Sequence, residues 1–498
     1  MKLLLELRPA LDGHGGIPQE TRLLFRGLAG LEGIEVLGLL QSASLPIERG
    51  LPLKQGEPVP GLTGAAQMER LSRVVVSLQQ EGVNPLENTR RRFRRYAGPL
   101  AAAAGSLVGL RVGLTAFDAS RFTDFVWRAL FARSLPLEDL EVVTSRGFRI
   151  LGLPYSVSAN LGAMSGALGH AAFPLIDTRG VDLMISETPY PGRVSKGTQL
   201  VVRYHDAVPL LMPHTIKNRA RHRAIHAHAL ARNAQDGAWF ACVSDATRAD
   251  LLSVRPELAS RAVTIPNMVL PRAESDIGPP TRVPEIVWSR KNRSAPQAGG
   301  APIAATDLTD GRLDYLLMVS TVEPRKNHLA LLDAWELMRS GAHPRLHLVL
   351  VGGLGWQHED MLSRFEPWLA RGGLHLLADV PSADLGTLYR HARACVCPSL
   401  AEGFDYSGIE AMQAGGVVVA SDIPVHREVF ADAAEYFHPY SPAGLAAALG
   451  HVIEPAAAGR RDELSMRGRE VASRYRPEAV LPQWQAFLAR FNVPEPAR

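Results

Sequence analysis

From about residue 315 to 421 the chain alternates short apolar runs with helix-length segments, and this pattern constrains the fold most. "YLLMVS" (315–320), "LHLVLVGG" (346–353), "LHLLAD" (374–379), "ACVCPS" (394–399) and "VVVAS" (417–421) lack the alternation of a half-exposed strand. Strands apolar on both sides are buried on both faces, which calls for helices above and below a parallel sheet. Helices are expected over 328–339, capped by Asn327, and over 383–393. The front half repeats the pattern more loosely, with candidate strands at 2–7, 34–40, 182–185, 199–204, 238–243 and 262–265. The fold class that follows is α/β, with two Rossmann-like doubly wound domains facing across a cleft. The length of 498 residues agrees, because a single core rarely grows past roughly 250–300.

Between about 50 and 150 the alternation degrades into an insertion with Arg-rich and Ala-rich parts, and 271–310 is rich in Pro, Ser and Gly without sustained period. The expected domains are therefore 1–270, an interdomain linker at 271–310, and 311–475. Residues 476–498, opening with Pro477 at a helix's first turn, belong to a closing amphipathic segment. The net charge is only +4, so local placement of cations matters more than their sum. Three cysteines, Cys242, Cys395 and Cys397, make no disulfide framework and no zinc spacing, so a reducing, cytoplasmic setting is expected. The opening "MKLLLELRPALDG" reads as a first strand, since Glu6 and Arg8 break its apolar run. The longest apolar stretch, 99–117, is interrupted by Arg111 and three glycines and reads as no membrane span.

In doubly wound sheets ligands bind beyond the carboxyl ends of strands, and four motifs fall there. "STVEPRKNH" (320–328) sets Arg325 and Lys326 between a strand and a helix, where two cations suit a diphosphate; the plain alternative is a solvated turn. "RYHDAVP" (203–209) puts His205 and Asp206 after a buried strand, either to touch a substrate or as a satisfied core pair. "PALDGHGGIPQE" (9–20) is a glycine-rich loop entering a helix, where Gly15 and Gly16 allow close backbone approach. "AEGFDYSGIEAMQAGG" (401–416) carries Glu402 and Glu410. It reads as a loop over 402–407, then a helix over 408–414 with Glu410 in its first turn. Such an element offers carboxylates for sugar and ribose hydroxyls and amides for phosphate.

In order and spacing these motifs resemble a family 4 retaining glycosyltransferase of the GT-B fold. The resemblance is strongest over about 313–440, through "VSTVEPRKN", "GGLGW", "DVPSADLGTLYRHARACVCPSLAEGF" and "EAMQAGGVVVASDIPVHREV". It is looser in front, through the glycine loop, "HD" at 205–206, "VSDATRADL" and "IPNMV". It implies that Arg325 and Lys326 bind the donor diphosphate, Glu410 the ribose, and Glu402 the donor sugar. The amides of Phe404, Asp405, Tyr406 and Ser407 would approach sugar and phosphate. His205 would lie near the reacting centre, and Gly15 and Gly16 would let the front domain close over the phosphates.

Where the family has Gly-Leu-Pro after "EGF", this chain has Asp405-Tyr406-Ser407, which makes Asp405 a candidate for sugar choice and resembles bacterial mannosyltransferases of surface polysaccharide assembly. The implied reaction moves a hexose, mannose favoured, from a nucleoside diphosphate sugar, GDP-mannose favoured, to a glycan or polyprenyl-diphosphate-linked acceptor. With no D-x-D in the chain, no metal and no cofactor are expected. Five arginines within 90–95, Arg90 to Arg95, suggest peripheral contact with anionic lipid on the inner face of the membrane; the plain alternative is a solvated basic face. Nucleic acid is not expected as a partner. The competing readings are a sugar-nucleotide epimerase or phosphorylase of the same fold and a non-catalytic nucleotide-sugar-binding scaffold.

Overall fold

The computed structural model describes residues 1–11, 13, 15–54, 56–58, 64–79, 105, 109–167, 171–272, 274–294 and 301–491. Among them a first sheet is built from β1 (Lys2–Glu6), β2 (Glu35–Leu40), β3 (Thr115–Phe117), β4 (Gly147–Ile150), β5 (Leu183–Ser186), β6 (Gln199–Tyr204), β7 (Trp239–Cys242) and β8 (Ala262–Thr264). The order in space is β8-β7-β6-β5-β1-β2-β4-β3, parallel throughout except for β3, which runs antiparallel to β4. Leu3, Leu4 and Leu5 of β1 are all inaccessible to solvent, so successive side chains are buried on both faces. That is why these strands read as unbroken apolar runs.

The second sheet holds β9 (Tyr315–Val319), β10 (His347–Val351), β11 (Leu374–Leu377), β12 (Ala394–Cys397), β13 (Val418–Ser421) and β14 (Ala434–Phe437). Its order is β11-β10-β9-β12-β13-β14, parallel throughout. The parallel strands switch from one side of the starting strand to the other at β1/β5 in the first sheet and at β9/β12 in the second. In doubly wound sheets the crevice for a ligand lies beyond the carboxyl ends of the strands at such a point.

Three sequence expectations need correction. The 50–150 stretch is not wholly an insertion outside the sheet: β3 and β4 both come from it. They give little pattern because β3 is three residues long and β4 carries Arg149 among its four. The 271–310 stretch is not bare linker, since the helix Val283–Ser289 buries Val283, Ile286 and Val287. Asn292 and Ala378 then bond it to the edge of β11 through Asn292 N–H to Leu376 O and Ala378 N–H to Arg290 O. The helix expected at 408–414 spans Tyr406–Gln413, which moves Glu410 from the first turn into the second. The arginine run at 90–95 lies outside the described residues. Among those described, no helix is long and apolar enough to cross a membrane.

The closing helix Pro477–Leu488 returns to the first domain. Phe487 meets Trp239 of β7 with ring centroids 5.9 Å apart, and buried Trp484 stacks under the Arg203 guanidinium at 5.2 Å. The polypeptide therefore crosses between the domains twice.

Candidate active site

The loop after β9 and the loop after β12 meet at the switch point of the second sheet. Pro324–Lys326 form one turn of tight helix, which sets Arg325 and Lys326 side by side toward the crevice. Glu402 arrives from the other loop. Its Oε2 accepts from Arg325 Nη1 at 2.7 Å and its Oε1 from Lys326 Nζ at 2.5 Å. Arg325 Nη2 also donates to Glu323 Oε1 at 3.0 Å, and Arg325 Nη1 to the Ala401 carbonyl at 2.6 Å. The Glu402 side chain is 7% exposed and those of Arg325 and Lys326 are 16% and 17%. Burial alone would raise the Glu402 pKa; the charges of Arg325 and Lys326 outweigh it and hold the group below the usual carboxylate range. Asn327 does not cap the next helix with its side chain, as expected from sequence, because its amide donates to the Pro398 and Pro439 carbonyls and ties the two loops.

Glu410 faces the first domain. Its Oε1 accepts from Gln19 Nε2 at 2.8 Å and its Oε2 from the Tyr389 hydroxyl at 3.2 Å. Phe404 is buried against Tyr406 and Tyr475. Asp405 takes a left-handed backbone, φ 70°, and turns its carboxylate inward to His426 Nε2 at 3.1 Å and Ser407 Oγ at 2.6 Å. The side chain proposed from sequence to select the sugar is thus spent on holding the loop. No side chain caps the helix that begins at Tyr406. Tyr406 reaches across the crevice, donating to Glu20 Oε2 at 2.8 Å.

His205 follows β6 and lies against the loop of Glu402. A Cβ built on Gly403 would fall 1.8 Å from the His205 carbonyl oxygen, so only glycine fits there. Ser244 Oγ donates to the Gly403 carbonyl at 2.8 Å and Thr247 Oγ1 to the His205 carbonyl at 3.3 Å, so "VSDATRADL" stitches the two together. Asp206 Oδ1 accepts from the Val208 N–H at 3.0 Å, and its charge acts on Arg325 across the domains. Around Gly15 and Gly16 there is room: a Cβ at either would meet no atom within 4 Å. Gly16 also needs its positive φ of 67° to start the helix Ile17–Ala29.

Several residues escaped the sequence reading. Arg203 is fully buried and bonds Glu20 at 3.0 Å, the Ile265 carbonyl at 2.6 Å and Asn267 Oδ1 at 2.7 Å. Its one signal was a charge inside the apolar run "QLVVRY". Glu187 contacts His205, as described below, and its signal was its place just after β5. Gln19, Glu20 and Tyr389 gave none, because they act on residues far away in sequence, and Glu323, two residues before Arg325, carried no signal of its own.

Residues 306–471 match the family model described as glycosyl transferases group 1. The chain is 39% identical over 119 residues to O-antigen chain mannosyltransferase B of Escherichia coli, which covers 24% of this chain and 31% of that protein. It is 44% identical over 63 residues to O-antigen chain mannosyltransferase RfbU of Salmonella typhimurium, 13% of this chain and 18% of that protein. The chain thus spans less than a third of either relative's length in the match. Among solved structures, sucrose-phosphate synthase of Thermosynechococcus elongatus superposes over 98% of both chains with TM-score 0.54 and 15% identity, which speaks to the fold. Two doubly wound domains with that likeness are the GT-B fold, and residues 306–471 within it are similar to the group 1 glycosyl transferases, with further sequence similarity to bacterial O-antigen mannosyltransferases.

Proposed function

We propose that the chain is a retaining hexosyltransferase that moves mannose from GDP-mannose to a glycan or polyprenyl-diphosphate-linked glycan acceptor during surface polysaccharide assembly. The observation that carries the reading is the Arg325–Glu402–Lys326 cluster at the switch point, inside the span that matches the family. The names of the two bacterial relatives favour mannose.

In this reading Glu402 holds two cations ready in a poorly solvated crevice. A donor diphosphate takes over the N–H groups of Arg325 and Lys326, and the released Glu402 accepts from sugar hydroxyls. Charge accumulates on the leaving phosphate as the sugar carbon becomes oxocarbenium-like, and cations fixed in place lower that barrier without reorganising. The first-turn amides at Tyr406–Gly408 add donors to the same anion, and Glu410 takes the ribose. Attack comes from the face the diphosphate leaves, so configuration is retained, and the acceptor hydroxyl proton passes to the departing phosphate oxygen. Since Arg325 and Lys326 supply the positive charge, the rate should be unchanged by EDTA. Closure of the two domains excludes water and suppresses hydrolysis.

A thermal-shift panel of nucleoside diphosphate sugars followed by a transfer assay tests this. A donor at a hundred times its Kd stabilises the protein by about 2.7 kcal/mol, and GDP-mannose should give the largest shift. Glu402→Ala should remove transfer while circular dichroism stays native. Replacing Arg325 and Lys326 together by alanine should weaken nucleoside diphosphate binding by at least about a hundredfold, since two charge-assisted contacts are worth roughly 3 kcal/mol or more. Wild-type turnover in the first variant, or unchanged binding in the second, sinks the assignment.

A further inference from the structure

Behind His205 lies a carboxyl group that donor binding does not account for. Glu187 immediately follows β5, beside the switch point of the first sheet, and its side chain is fully buried. Its Oε2 is 3.1 Å from His205 Nε2. Its Oε1 is buried with no hydrogen-bond partner. Its backbone N–H donates to Glu6 Oε2 at 3.0 Å, so a second carboxylate lies against it.

The cations nearby are already matched. Arg203 is paired with Glu20 at 2.9 Å and Arg8 with Glu6 at 2.7 Å. An ionised Glu187 would add a third buried anion, with one oxygen bare and no cation of its own. Such a group takes up a proton instead. Burial first, then Glu20 and Glu6, push the Glu187 carboxyl well above its ordinary range against the pull of Arg203 and Arg8. Burial first, then Arg203, hold His205 down at about 4, against Glu20, Asp206 and Glu6. A neutral acid thus faces a neutral imidazole. A proton on Oε1 would be a buried hydroxyl without an acceptor, so the proton belongs on Oε2. It then points at an Nε2 lone pair, and the ring proton must sit on Nδ1, which has no protein partner among the described residues.

We propose that Glu187 is a positioning residue: its protonated carboxyl donates to Nε2 of His205 and holds the ring in the Nδ1–H tautomer, so that His205 meets the bound substrates as a hydrogen-bond donor and not as a base. The inference rests on the transfer reaction proposed above and sharpens it. With His205 unable to accept a proton at Nδ1, the acceptor hydroxyl proton passes to the leaving phosphate oxygen as the carbon–oxygen bond to phosphate breaks and the new glycosidic bond forms.

The full chain labelled with ¹⁵N-histidine, with His205→Asn to assign the resonance, decides the tautomer without any turnover. Wild type and Glu187→Gln should show a protonated Nδ1 and an unprotonated Nε2 from pH 6 to 8, because an amide also donates to Nε2. Glu187→Ala should lose that preference. In the transfer assay Glu187→Gln should keep kcat within about threefold, and Glu187→Ala should lose at least about tenfold in kcat with donor KM within about twofold, a tenfold loss being about 1.4 kcal/mol of barrier. Wild-type kcat should fall at alkaline pH as Glu187 ionises, and Glu187→Gln should not. An Nε2–H tautomer in wild type, a tautomer unchanged in Glu187→Ala, or full kcat in that variant overturns the proposal. If wild type transfers no sugar at all, the proposed function falls while the nitrogen shifts still decide the tautomer.

Discussion

Asp405 and His205 show how single titratable groups couple this fold to pH. Burial by itself would raise the Asp405 pKa; the hydrogen bond and charge of His426, with Lys326 and Ser407, reverse this and hold it well below the usual carboxylate range. A depressed folded-state pKa contributes stability that is fully present above the ordinary value near 3.9 and is lost as pH falls through the folded one. Asp405→Asn should therefore cost about 1–3 kcal/mol at pH 7, and its melting temperature should converge with wild type as pH drops below about 4. His205 is held near 4, below its ordinary value of about 6.5. Its neutral burial contributes in full above about 6.5 and is lost between there and 4, so wild type should lose melting temperature over that window and His205→Asn less. The inward turn of Asp405 also moves sugar choice away from it. Its left-handed backbone costs of order 1 kcal/mol, which the bonds to His426 and Ser407 offset.

At the scale of elements, two glycines decide how the loop of Glu402 sits. Gly408 lies inside the helix Tyr406–Gln413, and a Cβ there would come within 2.2 Å of the Phe430 ring. The sequence reading treated this glycine as a helix start; close packing on the helix Pro424–Phe430 is the actual reason for it. Gly408→Ala should lower stability by about 1–3 kcal/mol through overpacking, read as a drop in melting temperature. Gly403→Ala should act differently. Its methyl would strike backbone of the other domain, so the domains must part, and transfer should be lost while the melting temperature changes little. Native-like transfer in Gly403→Ala would contradict the placement of His205 against the loop. Most strands were legible because they are apolar on both faces. Thr115–Phe117, Gly147–Ile150 and Ala434–Phe437 were not, being three or four residues long and, in the last two, interrupted by Arg149 and Glu435.

For the whole molecule the question is closure. Tyr406 bonds Glu20, Gln19 bonds Glu410, Trp356 Nε1 donates to the Thr215 carbonyl at 2.9 Å, and Glu428 accepts from the Asp245 and Ala246 amides at 2.6 and 2.8 Å. These contacts bind the domains without ligand. If Glu410 grips ribose, nucleotide must displace Gln19, and Gln19→Ala should tighten nucleoside diphosphate binding about fivefold, the worth of one hydrogen bond near 1 kcal/mol, by calorimetry. Weaker binding would mean that Gln19 itself holds the nucleotide. The sequence alone determined two doubly wound sheets and put Arg325, Lys326, Glu402 and His205 after strands, because buried parallel strands and their carboxyl-end loops leave local patterns in composition and spacing. Only the tertiary structure decided that Glu402 clasps both cations, that Tyr406 and Gln19 span the crevice, and that Glu187 stands behind His205. Those pairings join residues far apart in the chain, and their energies depend on burial and distance, which no local pattern records.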